Sequence, residues 1–120
     1  MASPQMTEAR MRDAEQVLSA DELDCIRRVC RDHPYVCELY LFGSRARGTQ
    51  RASSDYDFYA RFDEDLMQTR IDRLKLIDEL ISALRQRVDL MCGEVWSSRD
   101  EGLKSEIERD GALVYDRGAQ

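Results

Sequence analysis

The residues best suited to chemistry are three aspartates, Asp55, Asp57 and Asp89, and a Gly43-Ser44 turn followed by Arg45 and Arg47. Asp55 and Asp57 stand at i and i+2 within Ser54-Asp55-Tyr56-Asp57-Phe58. Alternate side chains of a strand share a face, so Asp55, Asp57 and Tyr59 are expected to project together, with Tyr56 and Phe58 toward the core. Aspartate is depleted in strands. Two carboxylates side by side repel, and one takes up a proton unless a cation sits between them. A divalent ion with oxygen ligands explains the pair economically, and Mg²⁺ is the usual ion where phosphates complete the shell. The competing reading is a solvated strand edge. Asp89 lies inside the apolar run Arg87-Val88-Asp89-Leu90-Met91, where a carboxylate without a partner is costly. If its strand neighbours the first, all three acids converge on one metal cluster. Otherwise Asp89 is an exposed residue at a strand end.

Glycine at 43 permits a sharp turn and close approach of backbone N–H groups to an anion. A strand that runs through such a turn into a helix start can cradle phosphate with main-chain donors. A Gly-Ser pair alone is weak, because most are ordinary loops. Arg45 and Arg47 are candidates for phosphate or partner contact, against a reading as solvated loop arginines.

The elements that must hold these groups follow from spacing and caps. Thr7 to Leu18 carries Met11, Ala14 and Leu18 at helical spacing. Ser19 with Glu22 forms a capping box before a helix striped by Leu23, Ile26, Val29 and Cys30, which stops before Pro34. His33 falls at the C-terminal end of that helix as a surface or capping residue. Tyr35 to Phe42 is rich in β-formers and ends at Gly43, and a second strand is expected around Asp55 to Arg61. The charged run Arg61 to Asp65 reads as a solvated turn.

Thr69 with Asp72 caps a long helix carrying Ile71, Leu74, Leu76, Ile77, Leu80, Ile81 and Leu84, read as a broad core face packed flat on a sheet. Val88 to Cys92 is a third strand. Trp96 is expected to cover a sheet edge, and Ser98 with Glu101 to cap a helix that buries Leu103 and Ile107 and ends near Gly111. Ala112 to Tyr115 is a last strand. The order predicts an α/β (α+β) fold with a small mixed β-sheet and helices packed mainly on one face. Residues 1–20 are expected to be a partly helical extension and residues 21–120 the domain itself.

Composition narrows the function. The chain of 120 residues has 18 basic against 24 acidic side chains, a net charge of −6. That sign disfavours bulk attraction to nucleic acid, though a local basic patch can still bind a nucleotide. No apolar run approaches the roughly 20 residues of a membrane span, and Met1 to Val17 lacks a secretory core. Four cysteines, without a C-x-x-C pair and with one histidine, fit neither a zinc site nor a disulfide framework. A cytoplasmic protein with reduced thiols is the expectation.

Taken together, Gly43-Ser-Arg-Ala-Arg-Gly48, the ten residues between Ser44 and Asp55, the Asp55-x-Asp57 pair and the later Asp89 resemble the DNA polymerase β-type nucleotidyltransferases. The motif looks like that of the smallest branch, the minimal nucleotidyltransferases that serve as antitoxins to HEPN-domain toxins. The resemblance spans about residues 21 to 116, and every acid of the motif is present. It implies that Gly43 and Ser44 hold a triphosphate, with Ser44 near the β- and γ-phosphates. It also implies that Asp55 and Asp57 bind two Mg²⁺ ions, and that Asp89 completes the second metal site and helps the acceptor hydroxyl lose its proton.

The function implied is a protein adenylyltransferase that moves AMP from ATP to a hydroxyl, by resemblance a tyrosine, of a HEPN RNase toxin held in a hetero-oligomeric complex. The small size agrees, because members acting on tRNA ends or antibiotics carry an added domain to grip the acceptor. Two alternatives stand beside it. One is a binding module that neutralises its partner by occlusion. The other is a nucleotidyltransferase for a small molecule or RNA whose site a second subunit completes.

Overall fold

The structure, a computed structural model, describes residues 11–66, 69–93 and 101–119. The sequence readings at Thr7, Trp96 and Ser98 lie outside these residues. Helix α1 (Ala14–Val17) is a single turn, and Ala14 and Leu18 at its ends are buried in the main core. The Arg12 N–H donates to the Gly111 carbonyl at 2.9 Å. Residues 12–18 are thereby tied to the sheet.

Helix α2 (Ala20–Arg31) begins at the predicted capping box: the Glu22 N–H donates to the Ser19 hydroxyl at 3.1 Å, and the Ser19 N–H to the Glu22 carboxylate at 2.8 Å. His33 follows it and reaches across to Glu79 at 3.0 Å, so it ties two helices together rather than serving as a surface cap. Strand β1 (Val36–Phe42), the one-turn helix α3 (Ser44–Arg47) and strand β2 (Tyr56–Phe62) come next. Helix α4 (Arg70–Leu84), strand β3 (Val88–Gly93), helix α5 (Glu101–Asp110) and strand β4 (Ala112–Asp116) complete the order. Among the described residues no helix is long and apolar enough to cross a membrane.

The four strands lie in the order β3-β2-β1-β4. Strand β1 runs antiparallel to β2 and β4, while β2 and β3 are parallel with α4 between them in sequence. This is the expected small mixed sheet. One face buries Leu39, Leu41, Phe58, Ala60, Leu90 and Val114 in a single core with Leu23, Ile26 and Val29 of α2 and Leu76 and Leu80 of α4. On the other face a small second cluster joins Phe42 and Tyr59 to Ile107 of α5.

Two expectations are corrected by packing. The apolar residues of α4 were expected to form one core face, but only Leu76 and Leu80 are fully buried. Ile71, Leu74 and Ile81 are 58%, 63% and 38% exposed. A helix apolar on more than one side cannot bury every side against one sheet. The run from Arg61 to Asp65 was expected as a turn, yet its first two residues finish β2, with Arg61 paired to Glu38 at 3.0 Å. The four cysteines are free: Cys30 and Cys37 are buried, Cys25 is half-buried and Cys92 is exposed.

Candidate active site

The decisive geometric fact lies in the β2–β3 register. Asp57 is the direct Cα partner of Asp89 across the parallel pair, and residues paired in this way point to the same side of the sheet. Tyr59 shares that face, as expected, but is buried at 3% exposure beneath Ile107 of α5. The acids therefore occupy the open end of a face that α5 closes further along. Asp57 is half-buried and Asp89 exposed. Asp55 falls just before β2 and bonds to the Arg87 guanidinium at 3.3 Å.

Gly43 is the second fixed point. It follows β1 and caps α3 with φ +78° and ψ −157°, a region open in practice to glycine alone. A Cβ built there would stand 2.3 Å from an Asp57 carboxylate oxygen. The glycine thus serves two purposes: it turns the chain, and it lets the backbone lie directly against the acid. Ser44 opens α3 at the same place. Gly43, Ser44, Asp57 and Asp89 are brought together by the meeting of the β1 end with the start of β2 and β3.

The two arginines of the turn part company. The Arg45 guanidinium donates to the Ser54 carbonyl at 2.8 and 3.0 Å and to the Ala52 carbonyl at 3.3 Å. It also lies 4.1 Å from the centre of the Tyr56 ring, a cation–π contact. Tyr56 is anchored in turn, donating its hydroxyl to the Glu22 carboxylate. Arg45 is therefore committed to the loop that delivers Asp55. Arg47 instead pairs with Glu106 of α5 at 3.3 Å.

The electrostatics mark Asp57 as the stressed group. Burial, first, and then the charges of Asp89, Asp55 and Glu106 hold its carboxyl above the ordinary aspartate value, while Arg47 pulls the other way. This is an anionic cluster short of positive charge. Its donors are all carboxylate oxygens, the chemistry a hard divalent ion takes. As the side chains stand, no three acidic, histidine or cysteine residues among those described form a group that could hold a metal. Asp55 is spent on Arg87, but Arg87 is 84% exposed, and such surface pairs are worth little. Releasing Asp55 to a cation costs correspondingly little, and the donor type of the cluster is the one a hard divalent ion takes.

Glu106 and Arg87 are site neighbours that the motif reading missed. Arg87 carried a signal, since it stands two residues before Asp89 and so falls on the same side of an extended chain. Glu106 carried none, because only the fold brings α5 across to α3.

The family model described as "Polymerase beta, Nucleotidyltransferase" matches residues 24–120. A relative from Methanocaldococcus jannaschii that bears the name protein adenylyltransferase is 35% identical over 89 residues, covering 74% of this chain and 85% of its own. The chain belongs to the polymerase beta nucleotidyltransferase family. Among solved structures, this nucleotidyltransferase resembles a toxin–antitoxin crystallised with AMP-PNP. The TM-score is 0.63 and the identity 28%, over 81% of this chain and 75% of that one. It also resembles a protein described as a minimal nucleotidyltransferase, with TM-score 0.59 and 26% identity over 83% and 94% of the two chains. The resemblance read from the Gly43-Ser44 turn and the Asp55-x-Asp57 pair is borne out at the level of family and fold.

Proposed function

We propose that this nucleotidyltransferase is an antitoxin that moves AMP from ATP to a tyrosine hydroxyl of a HEPN-family RNase toxin and so silences it. The observation that carries the chemistry is the Asp57–Asp89 pairing with Gly43 packed against Asp57. The choice of AMP and of a protein acceptor is supported by the named adenylyltransferase relative and by the AMP-PNP complex of a toxin–antitoxin.

In this reading Asp55, Asp57 and Asp89 hold the Mg²⁺ ions. When bound, these supply positive charge to the triphosphate and to the attacking and leaving oxygens of an in-line displacement. The chain's own groups do the rest. The Gly43-Ser44 turn offers its backbone and the Ser44 hydroxyl to the phosphates. Arg45 fixes the 52–54 loop, so that Asp55 enters at a constant place. Asp89, the exposed member of the facing pair, is open to the acceptor and helps its hydroxyl lose a proton. The acceptor oxygen then bonds the α-phosphorus, the bond to pyrophosphate breaks, and pyrophosphate leaves.

The test is an intact-mass measurement of the candidate HEPN partner after incubation with Mg²⁺ and ATP, with the Asp55→Ala, Asp57→Ala double variant as control. A gain of whole AMP units, absent with the variant, is the expected result. A stable complex that neutralises the toxin without any mass gain would replace this reading with occlusion.

A further inference from the structure

The ion pair between Arg47 and Glu106 joins two elements far apart in sequence, α3 beside Gly43 and α5 across the Asp57 face. Its neighbours on both sides are fixed. Ala46 is 1% exposed and Ile107 is 1% exposed in the cluster with Phe42 and Tyr59. The pair itself is not fixed. Its side chains are 42% and 31% exposed and meet through one guanidinium nitrogen at 3.3 Å, a geometry of low net strength. Arg45 offers the contrast, with three bonds to carbonyls and a ring beneath it. Of the two arginines in the turn, only Arg47 can change partner without dismantling a loop.

A triphosphate arriving at the Gly43-Ser44 turn presents several oxygens and a higher charge than one carboxylate. Guanidinium–phosphate contacts of this kind are charge-assisted and often bidentate. Resting on the nucleotide-transfer reading, we propose that Glu106 is a positioning residue. It holds Arg47 across the free site and yields it to the incoming triphosphate, so that the ion pair acts as a latch that sets nucleotide affinity. Glu106 itself touches neither phosphate nor metal in this scheme. It competes for Arg47, and the affinity of the site is lowered by what breaking the pair costs.

The experiment is calorimetric titration of Mg·ATP into the wild-type chain, Glu106→Gln, Arg47→Gln and the double variant, each checked by thermal melting. Glu106→Ala is read in the same way, because glutamine can retain a hydrogen bond to Arg47. The expected result is that removing the Glu106 charge tightens Mg·ATP binding about two- to fivefold, the worth of an exposed ion pair. In the Arg47→Gln background the same change is expected to tighten binding distinctly less, because only the Glu106 charge felt at Asp57 is then removed. Weaker binding by Glu106→Gln and Glu106→Ala would overturn the latch, showing that the pair pre-arranges Arg47 instead. Equal tightening with and without Arg47 would overturn it too, as plain repulsion between Glu106 and the nucleotide. A folded wild type that binds no Mg·ATP would overturn the nucleotide-transfer reading and this inference with it.

Discussion

Among single residues, Gly43 and Asp57 constrain each other. A methyl group at 43 would have to occupy the place of an Asp57 oxygen, in a backbone region that side chains avoid. Gly43→Ala is therefore expected to cost about 1–3 kcal/mol in strain and to displace Asp57. Gly48 also has positive φ, at +80°, but open space where its Cβ would stand, so Gly48→Ala should cost only the left-handed backbone strain, about 1–2 kcal/mol, with no clash added. Urea unfolding of both variants checks the order, and equal losses would contradict the contact. Asp57 gives a second prediction. Its folded pKa is raised above the ordinary 3.8, so between those two values the native state binds more protons than the unfolded chain. Stability then falls as pH rises through that window. Asp57→Asn should match wild type below the window and be the more stable protein at neutral pH in chelator. A less stable Asp57→Asn at neutral pH would show that the charge is already compensated. The acids and the glycine were legible in the sequence because their types conflict with an ordinary strand and turn. Glu106 was not, because a lone acid on an amphipathic helix conflicts with nothing.

At the scale of elements, the capping boxes at Ser19 and Thr69 and the glycine stop after Phe42 placed α2, α4 and the end of β1 within a residue or two, because these signals are local. The helix read over Thr7 to Leu18, by contrast, is helical only from Ala14 to Val17 among its described residues. The pairing of β3 beside β2 was legible only as a condition, since register is decided by packing and not by any single strand. The burial of α4 misled for a related reason. Its apolar residues recur on several sides, and periodicity alone does not say which side meets the sheet. The structure makes the distinction testable. Leu80 is fully buried in the main core and Leu74 is 63% exposed. Leu80→Ala is expected to cost about 2–5 kcal/mol, whereas Leu74→Ala should stay within about 0.5 kcal/mol. Chemical denaturation of the isolated protein measures both. A large loss at Leu74 would mean that α4 is covered in solution.

For the whole molecule, net charge and site charge pose one problem together. A chain of net charge −6 places a cluster of carboxylates at the site proposed to bind a polyanionic nucleotide, and burial together with that crowding already raises the pKa of Asp57. Long-range attraction cannot bring the nucleotide in, so binding depends on positive charge concentrated at the site. Arg45 is committed to its loop and Arg47 is shared with Glu106, which leaves the cation carried with the nucleotide as the main compensation. ATP in chelator should accordingly leave the melting temperature almost unchanged. Mg·ATP should raise it by mass action, equivalent to about 2.7 kcal/mol at a hundred times its dissociation constant. The Asp55→Asn, Asp57→Asn double variant removes two charges and should reverse the pattern, losing the response to Mg·ATP while tolerating metal-free ATP better than wild type. A melting series over both ligands and both proteins decides the matter. Equal stabilisation of wild type by ATP with and without Mg²⁺ would show that backbone donors and arginines suffice, and that the three aspartates serve something other than a metal.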